Sequence, residues 1–78
     1  GKNCPTPTYV GNKCQANANS ATTCDLANSN WDFCAITGAE GIGPAEKGHI
    51  FRDTAGAWKL TTERGDWPGI FHWMCFKL

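Results

Sequence analysis

The run IFHWMCFKL (70–78) carries apolar side chains on both parities. In an extended strand Ile70, His72, Met74, Phe76 and Leu78 share one face, and Phe71, Trp73, Cys75 and Lys77 share the other. Phe, His, Trp and Cys are poor helix formers, so the run predicts a strand, central in its sheet and covered on both sides. Just upstream, AWKLTT (57–62) alternates: Trp58, Leu60 and Thr62 face the core, while Ala57, Lys59 and Thr61 face away. GHIFRD (48–53) precedes it across Thr54-Ala55-Gly56, where the glycine suits the left-handed position of a bulged hairpin turn.

The first half is less regular. TYV (8–10) predicts a short strand after Pro5 and Pro7. TTCDLA (22–27) and WDFCAIT (31–37) flank Asn28-Ser29-Asn30 and predict a second hairpin. The rival reading is one short helix from about Cys24 to Cys34, which the Asn-Ser-Asn tripeptide disfavours. Residues 38–47, GAEGIGPAEK, read as a surface loop. The fold class is therefore small, all-β and disulfide-stabilised, with five or six short antiparallel strands in a single domain spanning 1–78.

Size and cysteine content sharpen this picture. A chain of 78 residues has a core of marginal size, and its four Trp, four Phe and Tyr9 supply the bulk that aliphatics do not. Small scaffolds of this kind need staples. Cys4, Cys14, Cys24, Cys34 and Cys75 are the candidates, and an odd five allows at most two intrachain bridges in any of 15 arrangements. A bridge from Cys75 to the first half closes a long loop, contributing up to about 4–5 kcal/mol against about 3 for a ten-residue loop, so Cys75 is expected to be paired. The cysteine left over allows a covalent dimer. There is no C-x-x-C, and the ten-residue spacing matches no zinc-ligand set, so neither a metal nor a cofactor is expected. Disulfides point to an oxidising compartment, and a chain opening at Gly1 reads as a mature secreted protein whose leader has been removed.

A formal charge of zero and the lack of a basic stripe argue against nucleic acid as a partner. WPGIFHWMCFKL (67–78) is interfacial in composition, but a stapled central strand accounts for the same residues, and no stable membrane insertion is expected. Six Asn occur without a single N-x-[ST] acceptor, so N-glycosylation is not expected.

Candidate chemistry concentrates in TTERGDWPG (61–69), which contains an Arg-Gly-Asp tripeptide. The reading is an exposed hairpin connection over 63–69, with 57–62 and 70–77 pairing antiparallel on either side. Arg64, Gly65, Asp66 and Trp67 are the candidate binding residues. In an integrin ligand Asp66 would complete a receptor cation's coordination and Arg64 would pair with a carboxylate. The plainer reading of Gly65 and Asp66 is a turn. Tyr9, Trp58, Trp67 and Trp73 are candidates for a sugar-stacking platform, against a core role for Trp58 and Trp73. A small secreted ribonuclease would draw on His49, His72, Arg52, Arg64, Glu40, Glu46 and Glu63. Strand parity sets His49 and Arg52 on opposite faces, and His72 reads as a core histidine, so no catalytic residue is expected.

In size, in cysteines near both ends (Cys4 and Cys75), and in an Asn/Ser/Thr/Ala-rich first half before a strand-rich second half, the chain resembles the small secreted cysteine-rich proteins of fungi. These comprise effectors, killer-toxin subunits and antifungal proteins. It departs from the antifungal members in being neutral and from their even cysteine sets in having five. The resemblance implies a non-catalytic virulence or defence factor that binds a host or competitor protein or a cell-surface glycan. The alternatives are a carbohydrate-binding module, an integrin-binding protein and a small ribonuclease.

Overall fold

A computed structural model describes residues 8–17, 19–41, 47–63 and 68–78. Its strands are β1 (Thr8–Gln15), β2 (Thr22–Ala27), β3 (Phe33–Glu40), β4 (Gly48–Arg52), β5 (Trp58–Thr62) and β6 (Ile70–Lys77). They form two three-stranded antiparallel sheets, ordered β1-β6-β3 and β2-β5-β4. No helix occurs among the described residues. Between β2 and β3 the Asn28 side chain accepts the Asn30 N–H at 2.9 Å, which makes a turn where the rival helix would have run.

The β4–β5 hairpin forms as its sequence predicts. Gly56 takes φ +85°, and the Asp53 carboxylate accepts the N–H groups of Ala55 and Ala57, each at 2.9 Å. Two other pairings differ from expectation. Strands β2 and β3 are not a hairpin: β2 pairs with β5, and β3 with β6. The Asp32 N–H donates to the Phe76 carbonyl at 2.9 Å, which commits the start of β3 to the other sheet. Nor do β5 and β6 pair with each other, since each is the central strand of its own sheet. The connection 63–69 therefore passes from one sheet to the other instead of closing a hairpin.

The inner faces meet in a core of Cys14, Ala16, Leu60, Phe71, Trp73 and Cys75, with Leu26, Trp31 and Ile50 packed against it. Close sheet contact depends on Gly48, where a Cβ would stand 3.1 Å from the Phe71 ring. Thr62 is fully buried, and its hydroxyl is satisfied by the backbone of Thr22 at 3.2 and 3.4 Å. The Trp73 indole N–H is buried with no acceptor among the described residues.

Both predicted kinds of staple are present. Cys14–Cys24 joins β1 to β2 and so ties one sheet to the other. Cys34–Cys75 joins directly opposed residues of β3 and β6. These two bridges use four of the five cysteines, which leaves Cys4, outside the described residues, without a cysteine to pair with among these 78 residues.

Candidate binding surface

Strand β6 was expected to be covered on both faces; among the described residues only its inner face is. Its outer face, half-buried along β6 and flanked by exposed residues of β1 and β3, has no described residues packed over it. The pairing register stacks these residues in rungs: Tyr9, Phe76 and Phe33 form one, and Gly11, Met74 and Ala35 the next. Tyr9 is 66% exposed and Phe33 44%, large values for aromatic side chains on a small domain. The Phe33 and Phe76 rings stack on one another, centroids 4.8 Å apart and planes 21° from parallel. Met74 leans over β1, where a Cβ on Gly11 would lie 3.1 Å from its Cγ.

Charge closes this apolar face at the other end. Lys13 stands opposite His72 on β1, and the Glu40 carboxylate reaches His72 Nε2 from β3. His72 is thus an outer-face residue in contact with a carboxylate, not the core histidine its apolar neighbours suggested. The β-bulge between Ile36 and Gly38 restores the parity that brings Glu40 onto this face.

The outer face of β2-β5-β4 is polar by comparison. The Thr23 and Thr61 hydroxyls lie 2.8 Å apart, and Lys59 contacts Asp25 and lies 3.6 Å from Asp53. The hydrogen bond with Asp25, reinforced by both carboxylates' charge, raises the Lys59 pKa. The Asp53 carboxyl is held below its usual value, first by the Ala57 N–H, then by the Ala55 N–H and Lys59.

Residues from β4, β5 and the β2–β3 connection join the sheets at one end. The Trp31 carbonyl accepts both Trp58 Nε1–H and Arg52 Nη2–H at 2.9 Å, and the Arg52 guanidinium sits 4.3 Å over the Trp58 ring. Arg52 is therefore engaged in a structural clamp. His49 lies on the outer face of one sheet and His72 on the outer face of the other, so these two ribonuclease candidates are held apart. No group of three or more potential metal ligands occurs among the described residues.

Arg64, Gly65, Asp66 and Trp67 lie outside the described residues. The roots of their connection do not. Glu63 N–H donates to the Lys47 carbonyl at 2.8 Å, and Ala16 N–H donates to the Gly69 carbonyl at 2.8 Å. Thr62 and Gly69 are both buried, and Ala16 lies two residues from the Cys14–Cys24 bridge.

Of the aromatics named from sequence, Trp73 is core, Trp58 is half-buried in the clamp, and Tyr9 is exposed. Phe33 was missed, because its exposure follows from β3 pairing with β6, which no local signal encodes. No protein-family model matches the chain, and neither a curated protein nor a solved structure matches it.

Proposed function

We propose that this chain is a secreted, non-catalytic binding protein of the effector or toxin kind, acting through surface contacts with a host or competitor protein or cell-surface glycan. The observation that carries this reading is the mounting of the 63–69 connection. It leaves one sheet at the buried Thr62 and enters the other at the buried Gly69, with a backbone hydrogen bond at each root. Recognition residues perform best on loops positioned by a rigid frame, because little ordering is left to be done on binding. Cys14–Cys24 ties the two sheets together close to the Gly69 root, Cys34–Cys75 staples β6 to β3 further along, and both are the bond type of oxidising, extracellular compartments.

The carbohydrate-module reading is less well supported. Of the platform candidates, Trp73 is core and Trp58 is half-buried in the clamp, which leaves Tyr9 alone exposed among the described residues.

The test is saturable binding of the oxidised, labelled protein to intact host or competitor cells, compared with a variant in which 64–67 are replaced by alanine. Loss of binding with an unchanged thermal transition is the expected result. Turnover of RNA, glycan or peptide abolished by His49→Ala or His72→Ala would overturn the non-catalytic reading. Asp66→Glu separates the integrin case. It keeps the charge but displaces the carboxylate by a methylene, so an integrin ligand loses cell adhesion outright.

A further inference from the structure

We infer that the outer face of β1-β6-β3 is a self-association surface whose occupant is a second copy of this chain, linked to the first through Cys4. Such a dimer is independent of the target proposed above, and the charges at the edges of the face point to it. Lys13 is on one edge strand and Glu40 on the other, and the contact of Glu40 with His72 holds its carboxylate at the level of Lys13.

A two-fold axis running along β6 sets β1 of one copy over β3 of the next. Lys13 then faces Glu40 of the partner subunit, and the symmetry repeats the pair. The same operation lays Tyr9 against Phe33 of the partner subunit and closes both aromatic rungs from water. A face that matches itself in both charge and apolar content under one two-fold has the property an isologous interface requires.

Area decides how strong that contact is. Three strands of eight residues cover roughly 14 by 26 Å in plan, at ~4.8 Å between strands and ~3.3 Å per residue. That is well short of the ~800 Å² of accessible surface per partner in a standard interface, so the face alone supports only weak association. The cysteine count supplies the remainder. Cys4 has no cysteine left to pair with among these 78 residues and precedes Thr8 by four residues, a reach of at most ~14 Å. Under this two-fold the starts of the two β1 strands lie roughly 14 Å apart, from ~4.8 Å on each side of the axis and ~10 Å between packed sheets. Two such arms span the gap.

The bond forms between Cys4 Sγ and Cys4 Sγ of the partner subunit. The two thiols give up two protons and two electrons to a disulfide-bearing oxidant, which leaves as a dithiol. The link raises the effective concentration of the two faces to roughly millimolar, enough to hold a weak contact closed. Because the axis runs along β6, both copies of β6 point the same way. Both 63–69 connections therefore enter at one end of the dimer, opposite the Cys4 bridge, as a bivalent pair.

Non-reducing intact mass and sedimentation equilibrium test this directly. The native chain should have twice the 8.5 kDa chain mass under non-reducing conditions. Cys4→Ser should convert it to a reversible monomer–dimer equilibrium. In that background Lys13→Glu alone and Glu40→Lys alone should each weaken dimerisation about tenfold, and the two together should restore it. Both positions are exposed, and near-UV circular dichroism verifies folding of each variant. A native monomer with a free Cys4 thiol overturns the proposal. So does a Cys4→Ser chain that stays monomeric at about 1 mM, or a charge swap that shows no rescue, even if Cys4 proves oxidised.

Discussion

Removing the two bridges one at a time distinguishes how they stabilise the fold. Cys34–Cys75 closes a separation of 41 residues and Cys14–Cys24 a separation of 10. If a bridge acts by restricting the unfolded chain, the longer loop is worth about 4 kcal/mol and the shorter about 2.7 kcal/mol. A chain of 78 residues has about 4–12 kcal/mol of net stability to lose, so either figure is a large share. Packing losses largely cancel, because each bridge contains one fully buried cysteine, Cys75 or Cys14, and one partly buried partner. The comparison therefore isolates loop length. Paired alanine variants, Cys34→Ala with Cys75→Ala and Cys14→Ala with Cys24→Ala, would be made in a Cys4→Ser background to prevent thiol exchange. Urea unfolding followed by Trp fluorescence should show the 34–75 variant less stable by about 1.3 kcal/mol, a Tm gap of roughly 5–10 °C. The native topology makes the opposite order plausible on its face. Cys14–Cys24 is the bond that crosses between sheets, whereas Cys34–Cys75 joins strands already hydrogen-bonded to each other. If losing Cys14–Cys24 costs as much or more, the unfolded-state argument is wrong and the inter-sheet tether dominates.

Leu60→Ala removes a fully buried side chain from the centre of β5 and should cost about 2–5 kcal/mol, read from the urea midpoint at constant m; a loss below 1 kcal/mol would mean the core is not centred there. Gly48→Ala should destabilise by about 1 kcal/mol or more, since crowding the Phe71 ring outweighs the ~0.4–1 kcal/mol gained from a stiffer unfolded chain, and an unchanged Tm would refute close sheet contact at that point. Asp53 has a folded pKa below the ordinary carboxyl value of 3.8, so its contribution is fully present above that value and is lost as pH falls through the lower folded pKa. Asp53→Asn keeps an oxygen for the Ala55 and Ala57 N–H groups but cannot titrate, so its Tm should fall less than that of the native chain as pH is lowered below 3.8.

Strand faces and the rough placing of most strands were legible because they are local, but two extents were not: β1 runs on past TYV to Gln15, and β3 continues through Gly38–Glu40, which had read as surface loop. Alternation assigned Trp58, Leu60 and Thr62 inward, and it separated Phe71, Trp73 and Cys75 from Ile70, His72, Met74 and Phe76. The β4–β5 pairing was legible for the same reason, since Gly56 and Asp53 encode the turn itself. Which strands pair across longer connections was not. The 28–32 and 63–69 segments are long enough either to close a hairpin or to cross the ~10 Å between sheets, and composition does not distinguish the two. The outcome rests on long-range matches, such as Asp32 N–H with the Phe76 carbonyl and Cys34 with Cys75. That same ambiguity hid Phe33, whose side chain becomes part of an aromatic rung only once β3 is set beside β6.

Strand β6 has an apolar excess that the described residues do not cover. A central strand in a two-layer sandwich needs one apolar face, and β6 has two. Sheet β2-β5-β4 covers Phe71, Trp73 and Cys75. Ile70, Met74 and Phe76 have no layer above them within the described residues, and their neighbours on β1 and β3 include two exposed aromatics, not the polar residues usual on a solvated sheet face. Period-two patterning thus reports the number of layers a strand expects without reporting which chain supplies each one. In the proposed dimer a second copy would supply that layer and match Lys13 to Glu40 in doing so, which a covering loop of the same chain would not require.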